Sequence, residues 1–473
     1  MKTPSAGTRL RFRLLLAVGA AVVLALSALA AEEARPLRLI AGPLVLHGAI
    51  NYQWGGHTFC YLVRGKQALY WAATEYGPGE YAHTALIGQQ PLGDSRLKAH
   101  VTRLEFAGGK PNPGHEPFPR DPRLRVNQPH LIRTPDGRLH VFLGLTQPTD
   151  DPHYRPGRLR YYRTRAPGDI TTLVDRSELL PRAPFPDYHL RMSVGVSRDG
   201  TRLALVILAI SRHGSVPFNT PIIFFALRQG ADFVFQKPIR YAEPMGLFYP
   251  QVAVTEDGVV IVGEVWSNRT PKRSLTRLLH LDWQGKTLHR EDLPAEVDGN
   301  YWCQDLRPRD AEDWSRLVLF YNKQPATREN NRHEFWEYDV RARRLRLLRS
   351  RRVPYPLSNA GRWLPMPEGQ SLFINNPSMN RLVVWSGDLL GRGPIRRTPL
   401  PGGDVIQRGY QASIYLAAPN VLQGSLRAPG ELCVAADCYH RVPPGEKPKA
   451  CSLLLWRLAW KVERQSGRRG RQD

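Results

Sequence analysis

Short runs of alternating apolar and polar residues, each ended by a tight turn, make up most of this chain. Residues 129–134, 138–145 and 159–165 read as three consecutive strands, and Asp136 and Gly137 join the first two. An Asp-Gly pair between two such runs predicts a β-hairpin, because Gly accepts the positive φ that the turn requires and Asp caps it with its side chain. The third run extends the hairpin into a meander.

The same pattern returns along the chain. Asp-Gly turns stand again at residues 199–200 and 257–258, and weaker versions follow towards the C-terminus. A period of this size, built only of short strands, predicts an all-β fold: a β-propeller with one blade of four antiparallel strands per repeat. With an earlier unit over residues 58–74, the sequence predicts about seven blades. Equivalent points recur every 52 to 61 residues, at Pro129, His189, Pro250, Cys303, Asn359 and Gln411.

The two ends of the repeat region are expected to meet. Residues 36–48 read as a strand, and residues 451–463 are the last strand-like run. Pairing between these two runs would close the ring and remove the exposed strand edges that invite aggregation.

The N-terminus has the organisation of a secretory signal peptide. Basic residues precede an apolar run over residues 14–26, and small residues follow up to Ala30. This predicts a signal peptide over residues 1–30, since the apolar run is short for a retained membrane anchor. We therefore expect a secreted or periplasmic protein without stable membrane insertion. It would have a single propeller domain over residues 31–463 and a basic, disordered tail over residues 464–473.

The net charge adds a candidate partner. The formal charge is +24, from 66 Lys and Arg against 42 Asp and Glu. Such a charge attracts polyanions, and for an exported protein these are acidic polysaccharides or anionic surfaces, not nucleic acid. The alternative is that the arginines only solvate the outer strands. Residues 341–352 (RARRLRLLRSRR) predict one such strand and its turn.

Five cysteines limit the metal and redox chemistry. Cys60 and Cys303 lie inside strand patterns, where a thiol acts as a small apolar group. A disulfide could join Cys433 to Cys438, or Cys438 to Cys451, in an oxidising compartment. The spacing matches no zinc signature, so we expect no metal and no cofactor.

Candidate chemistry concentrates in the segments that enter the innermost strands, because these segments meet at one end of a propeller's central channel. Aromatic rings beside amides and arginines suit a carbohydrate, whose ring faces stack and whose hydroxyl and acid groups need donors. The same aromatics could instead pack between blades. The segments contribute Trp54, His57, Asn127, Gln128, His130, Tyr188, His189, Arg191, Tyr249, Gln251, Tyr301, Trp302, Gln304, Asn359, Arg362, Trp363, Arg408, Tyr410 and Gln411.

The second of the repeats carries a family resemblance. Its residues resemble the second-blade signature of the BNR-4 repeat family, which comprises secreted seven-bladed propellers and includes the ulvan lyases. The resemblance continues more loosely from Trp54 to Trp266, and the later repeats carry no matching motif. The matching residues are Asn127-x-Pro129-x-Leu131, Asp136-Gly137-Arg138-Leu139-His140-Val141, His153, Leu159-Arg160-Tyr161 and Pro167-Gly168-Asp169-Ile170.

The resemblance implies a set of catalytic candidates. In the lyases of this family, an Arg neutralises the uronate carboxylate while His and Tyr groups move protons. By motif, Arg212 falls at the neutralising position and His153 at the position of the second His, with Tyr188 and Tyr249 at the tyrosines. The C5 proton of a uronate is weakly acidic until a cation stabilises the developing charge, and a base and an acid then complete β-elimination.

Six other residues of the entry segments are assigned to substrate binding. His189 and Arg191 also stay open as equivalents of Tyr188. In contrast, His140 lies within a strand pattern and is expected to be structural. The predicted substrate-binding residues are Asn127, His130, His189, Arg191, Trp302 and Trp363.

One position departs from the family pattern. Val126 stands where the family usually has a His directly before Asn127. His130 follows four residues later, which predicts the same face of an extended strand but a position about 13 Å away. The loss of this imidazole leaves two hypotheses open. The chain binds acidic polysaccharide and acts as a lyase of ulvan type, or it is a non-catalytic carbohydrate-binding or envelope scaffold protein.

Other enzyme classes find less support. Ser197-Arg198-Asp199-Gly200 is one residue short of the sialidase Asp-box, and the chain has no HExxH, GxSxG or phosphate-binding glycine loop. A carboxylate pair for glycoside hydrolysis stays open, because sequence alone does not show which acids lie at the required separation. The candidates are Glu75, Glu80, Asp150, Asp151, Glu243, Glu264 and Asp305.

Overall fold

The computed structural model of the protein describes a chain built of short antiparallel strands. Among the residues that the structure describes, no helix has the length and apolar character needed to cross a membrane. The described residues are 37–50, 62–75, 84–93, 98–105, 125–126, 129–146, 157–181, 191–209, 220–241, 247–267, 273–293, 300–324, 331–353, 361–366, 371–378, 381–408, 410–428, 430–440 and 451–460.

The described strands form seven sheets, which are the blades of the propeller. The chain enters at β1 (Leu37–Ile50). Blade 1 contains β2 (Leu62–Arg64), β3 (Ala68–Thr74), β4 (Thr84–Pro91) and β5 (His100–Glu105). Blade 2 contains β6 (Arg125–Val126), β7 (His130–Arg133), β8 (Leu139–Thr146), β9 (Gly157–Thr164) and β10 (Leu173–Asp175). Blade 3 contains β11 (Arg191–Val196), β12 (Arg202–Ala209), β13 (Thr220–Gln229), β14 (Asp232–Phe235) and β15 (Ile239–Arg240).

Blade 4 contains β16 (Leu247–Val254), β17 (Gly258–Ser267), β18 (Arg273–Asp282) and β19 (Thr287–Asp292). Blade 5 contains β20 (Asn300–Pro308), β21 (Arg316–Gln324), β22 (Arg332–Asp339) and β23 (Arg344–Arg352). Blade 6 contains β24 (Gly361–Pro365), β25 (Ser371–Ser378), β26 (Arg381–Gly387) and β27 (Ile395–Pro399). A short helix, α1 (Val405–Arg408), precedes blade 7, which contains β28 (Tyr410–Ala417), β29 (Glu431–His440) and β30 (Cys451–Trp460). Among the described residues, 3₁₀ turns cover Ile170–Thr172, Ser177–Leu179 and Val421–Gln423.

The seven-bladed propeller predicted from the repeat is confirmed. Most paired strands are consecutive in the chain, apart from β6 with β8, β13 with β15 and β1 with β30, and every pairing is antiparallel. From blade 1 to blade 7, the first strand of each sheet contacts the first strand of the following one, so these strands lie innermost, around the channel. The basic run predicted as an outer strand is also confirmed, since β23 is the outermost strand of blade 5.

A repeated hydroxyl-to-carboxylate hydrogen bond shapes the turns between the first two strands of three consecutive blades. In each turn a Ser or Thr stands two residues before the Asp and donates its hydroxyl to that Asp. The bond holds the turn closed while the Asp also accepts from the following backbone or side chains. The pairs are Thr134–Asp136 at 2.5 Å, Ser197–Asp199 at 2.5 Å and Thr255–Asp257 at 2.9 Å.

The glycines of these turns serve two different purposes. Gly137 and Gly200 have φ of 89° and 71°, the left-handed conformation predicted from the Asp-Gly pairs. Gly258 differs, because it begins β17 and is required for a close approach to the neighbouring strand. A Cβ at Gly258 would lie 1.8 Å from the carbonyl oxygen of Leu281.

The core lies between neighbouring blades. On β12, Leu203, Leu205 and Ile207 pack with blade 2, while Ala204 and Val206 pack with blade 4. Strands buried on both faces read as continuous apolar runs, which accounts for the sequence of β12.

The first strand of the chain closes the ring. β1 pairs with β30 from Leu37 opposite Trp460 to Ile50 opposite Cys451, with several bulges between. Blade 7 therefore has the order β28, β29, β30, β1, and the predicted pairing of the chain ends is confirmed.

The alternating faces of β29 and β30 explain why the predicted disulfides do not form. Cys438 pairs with Ser452, one residue beyond Cys451, so the two thiols lie on opposite faces of the sheet. Cys433 and Cys438 are also on opposite faces, because they are five residues apart on one strand. Accordingly, Cys438 packs on the blade 6 side and the other two on the blade 1 side, and no disulfide joins the three. Of the other cysteines, Cys60 lies outside the described residues.

The close approach at Gly258 gives a stability prediction. Gly258→Ala should lower the free energy of unfolding by at least about 2 kcal/mol, because the backbone of β18 must move to accept the methyl group. The urea unfolding midpoint should fall accordingly. Gly48→Ala is the matched control, since a Cβ at Gly48 has no neighbour within 4 Å. Circular dichroism during urea unfolding measures both. Equal midpoints for the two variants would contradict the close packing of β17 on β18.

Candidate functional site at the entry end of the channel

Different segments of the chain lie at the two ends of the channel. The innermost strands β7, β11, β16, β20, β24 and β28 all begin at one end, which we call the entry end. Because the sheets are antiparallel, β8, β12, β17 and β21 finish at this same end. The segments that connect one blade to the next, and those that connect the second strand of a blade to the third, therefore leave from the entry end.

The opposite end is crossed by residues 418–428, which we call the plug segment. It connects β28 to β29 and is longer than the tight turns at the same position in blades 2 to 4. The plug segment contacts blades 1, 3 and 5 through hydrogen bonds. These are Leu426 N to Arg64 O at 2.8 Å, Gln423 Nε2 to Val194 O at 3.5 Å, Asn420 Nδ2 to Leu306 O at 2.9 Å and Arg307 Nη1 to Pro419 O at 2.6 Å.

The plug segment also contacts blade 2. Gly424 has φ of 73° and lies so close to blade 2 that a Cβ would stand 1.7 Å from the carbonyl oxygen of Arg133. The plug segment is not predicted by the sequence pattern. Its turn residues, Pro419, Asn420 and Gly424, were the available signal, but nothing in them specifies a path across the channel.

Three of the four catalytic candidates, His153, Tyr188 and Arg212, lie outside the described residues. Tyr249 lies on β16, of which the backbone is described at this position. The strands next to these residues belong to the neighbouring blades 2, 3 and 4. Their roles stay predictions.

The predicted substrate-binding residues divide into three groups. Asn127 and His189 lie outside the described residues. Arg191 is the first residue of β11, and Trp302 lies near the start of β20. His130 and Trp363 are buried, each with 1% of its surface exposed.

The pairing register on β8 differs by one residue between Val126 and His130, and the expectation that both share a face is wrong. Val126 pairs with Leu145, whereas His130 pairs with Phe142, three residues away on β8. Paired residues share a face and successive residues alternate, so the side chains of Val126 and His130 point to opposite faces. Val126 packs in the core with blade 1, and burial lowers the pKa of His130 to about 3. His130 therefore does not replace a His at position 126.

Trp363 lies in the core between blades 5 and 6. Its ring packs with Phe320 and Phe373, and its backbone N–H donates to Asp305 Oδ2 at 3.0 Å. Asp305 also accepts from Arg307 Nε at 2.8 Å, and both side chains are almost fully buried. Asp305 therefore holds two blades and the plug segment together. It was one of the carboxylates left open for hydrolysis.

Two buried histidines each lie beside the hydroxyl of a buried tyrosine. His140 Nδ1 lies 2.8 Å from Tyr161 Oη, and His280 Nδ1 lies 2.9 Å from Tyr338 Oη. Burial lowers the pKa of His140 to about 3, so this imidazole stays neutral and serves packing. The structural role expected for His140 agrees with these contacts.

A carboxyl group that the sequence analysis missed stands on β29. Asp437 is 6% exposed and faces the core shared with blade 1, opposite Leu453. Burial raises the pKa of Asp437 to about 7. An acid inside the apolar run of β29 was the available signal, but its burial depends on blade 1 and is not visible in the local sequence.

Comparisons with known proteins find structural neighbours without sequence relatives. No family model matches the chain, and no curated protein matches it. Polysaccharide lyase Uly1 is similar at 10% identity and a TM-score of 0.48, over 87% of this chain and 92% of that chain. The periplasmic gluconolactonase PpgL of Pseudomonas aeruginosa is similar at 16% identity and a TM-score of 0.45, over 72% of this chain and 86% of that chain.

A third neighbour is the Trypanosoma rangeli sialidase, at 11% identity and a TM-score of 0.42, over 90% of this chain and 59% of that chain. At these identities and TM-scores the likenesses carry no assignment of substrate or reaction.

The buried Asp437 gives a pH-dependence prediction. The unfolded carboxyl releases its proton near pH 3.8, whereas the folded one holds it up to about pH 7. Between these pH values the folded state binds one proton more than the unfolded state. The stability that this proton contributes falls as pH rises, by about 4 kcal/mol in total. Asp437→Asn should therefore match the unaltered chain near about pH 4 and exceed its stability near about pH 8.

Thermal unfolding across this pH range measures the effect. The exposed Glu256 supplies a control, since Glu256→Gln removes one acid without changing a buried group. Parallel pH profiles for the unaltered chain and Asp437→Asn would show that Asp437 ionises normally in the folded state.

Proposed function

We propose that this propeller is an exported protein that binds an acidic polysaccharide at the entry end of its channel. The single observation that carries the proposal is the difference between the two ends. The plug segment crosses one end, while strands of three neighbouring blades that adjoin the candidate residues begin or finish at the other. The net charge of +24 supports an anionic ligand.

The reaction that fits the candidates is β-elimination at a uronate. In this proposal Arg212 binds the carboxylate and stabilises the negative charge that develops when a base removes the C5 proton. The electron pair forms the C4–C5 double bond, the C4–O bond breaks, and an acid protonates the leaving oxygen. His153, Tyr188 and Tyr249 are the proposed proton-transfer groups, with His189 or Arg191 as alternatives to Tyr188.

Three other residues of the entry segments are the proposed substrate-binding groups. Asn127, Arg191 and Trp302 are the proposed contacts to the saccharide, by hydrogen bonding, charge and ring stacking respectively. The burial of His130 and Trp363 supports a role for these two in holding the blades beneath the site.

A specific observation favours a second candidate function, binding without catalysis. Val126 occupies the position of a family His, and its side chain is 6% exposed within the core. The nearby imidazole of His130 belongs to the opposite face of the strand. A protein lacking one proton-transfer group could still hold the polymer as an envelope scaffold.

Ultraviolet absorbance separates the two functions. The protein is incubated with ulvan and with polyuronates, and the absorbance of the unsaturated uronate is followed while binding is measured by affinity electrophoresis. A lyase gives binding with a rise in absorbance, and a scaffold gives binding alone. Absence of binding to every acidic polymer tested would contradict the proposal as a whole.

Arg212→Ala tests the neutralising role. Loss of the cation should lower turnover by at least about a hundredfold, because a single donor to a developing oxyanion contributes on that order. If the protein binds without turnover, the same variant should weaken polymer binding about tenfold. Arg392→Ala is the control, since Arg392 is exposed on blade 6 and its removal changes the net charge equally. Full activity or binding in Arg212→Ala would remove Arg212 from the site.

A further inference from the structure

The plugged end of the channel contains a basin with an unusual charge balance. Its floor is the plug segment, and its walls are turns of blades 1, 2, 3 and 5. The cavity volume is about 270 Å³. Its lining carries four cations, Lys66, Arg133, Arg198 and Arg427, and one anion, Glu312.

Only one of the four cations has an acidic partner in the described part of the chain. Arg198 Nη2 lies 2.5 Å from Glu312 Oε2, so these two charges neutralise each other. Lys66 and Arg427 are exposed and form no ion pair with the residues described. The basin therefore retains three positive charges that the described side chains do not balance.

Arg133 is the most informative of these cations. It ends β7, is 6% exposed, and donates no side-chain hydrogen bond to any described residue. Two other buried arginines of the propeller, Arg277 and Arg307, have carboxylate partners: Arg277 contacts Asp292 at 2.6 Å and Arg307 contacts Asp305 at 2.8 Å. A buried guanidinium without such a partner is costly, because its charge has lost water without gaining an anion.

The acid that acts electrostatically on Arg133 already has other partners. Asp136 acts electrostatically on Arg133, but its carboxylate accepts from Thr134 Oγ1 at 2.5 Å, from Arg228 Nη2 at 2.6 Å and from Arg138 Nη1. Burial lowers the pKa of Arg133 below its ordinary value, which reflects the same incomplete compensation. An external anion would supply the missing partner.

We propose that this basin binds a small, multiply charged oxyanion of the sulfate or phosphate type. The planar guanidinium of Arg133 forms two parallel hydrogen bonds to the anion, while Lys66 and Arg427 neutralise the remaining charge from the rim. The site lies at the opposite end of the channel from the proposed polysaccharide site, so it stands whether or not the chain acts on a polymer.

Such a site would also strengthen the closure of the channel. The floor residue Ser425 accepts from Arg64 N at 2.8 Å, and Gly424 packs against the carbonyl of Arg133. An anion between Arg133, Lys66 and Arg427 would therefore join blades 1 and 2 to the plug segment. Binding to the folded state alone raises stability in proportion to the logarithm of ligand concentration.

Isothermal titration calorimetry of the full chain tests the proposal. Sodium sulfate and sodium phosphate are titrated separately at an ionic strength held constant with sodium chloride, and sodium acetate serves as the singly charged comparison. We expect saturable binding of sulfate or phosphate, and binding of acetate at least about tenfold weaker. Calorimetry is preferred to melting temperature because sulfate also stabilises proteins without binding to a site.

Two sets of variants test whether the binding measured by calorimetry occurs in the basin. The double variant Lys66→Ala, Arg427→Ala removes exposed side chains and should weaken binding about tenfold or more. Its control is Lys237→Ala, Lys286→Ala, which removes the same charge from exposed positions on blades 3 and 4 and should bind within about twofold of the unaltered chain. Arg133→Lys keeps the charge but cannot form two parallel bonds, and should also weaken binding about tenfold.

Three results would overturn the proposal. One is the absence of saturable binding of both sulfate and phosphate to the unaltered chain. Another is equal weakening in the basin and control double variants, which would show a diffuse charge effect. The third is acetate binding as tight as that of sulfate and phosphate, which would exclude selection of a multiply charged anion.

Discussion

The pairing of β1 with β30 is the interaction on which the rest of the structure depends. These two strands stand at opposite ends of the described chain, and their ladder joins them from Leu37 to Ile50. Bringing such distant segments together costs loop-closure entropy, although this cost grows only slowly with loop length. The ladder offsets the cost by adding a fourth strand to blade 7 and covering an edge that would otherwise stay unpaired. The strand also contributes to two cores, since Leu37 packs beside blade 6 and Leu46 beside blade 1.

A closed ring gives the molecule two unlike ends. At the end of the tight turns, hydroxyl-to-Asp bonds and buried ion pairs such as Arg307 with Asp305 fix the backbone, and the plug segment crosses between blades. The connections between blades, and those between the second and third strands of a blade, leave from the entry end instead. The candidate catalytic and binding residues belong to these connections or to the strands next to them. A rigid scaffold that presents variable segments at one end is a common arrangement for binding and catalysis. The proposed binding site therefore lies at the entry end, and the net charge and the residue types favour an acidic ligand.

Much of the fold was predictable from the sequence because the turn pattern is local and repeats. The Asp-Gly turns, the alternation of β7 and β8 and the apolar first and last strands gave the blade number and the closure. The register offset between Val126 and His130 was not predictable, because an offset of one residue changes the face of a side chain without altering the apolar pattern around it. Nor could the sequence reveal the burial of Asp437, which depends on contacts with blade 1. The candidate residues are distributed over separate blades, so grouping them into one site required the predicted topology and not the local sequence.

Hydrogen exchange of the β1 amides tests ring closure, the central claim, most directly. If β1 is an integral strand of blade 7, its amides open only when the blade opens. Their opening free energies should then lie within about 1 kcal/mol of those of β29 and β30. Mass spectrometry or NMR under native conditions measures these values for residues 37–50, 431–440 and 451–460. Amides of β1 that exchange orders of magnitude faster than those of β29 would show that the first strand frays independently, and the ring would then not be closed as described.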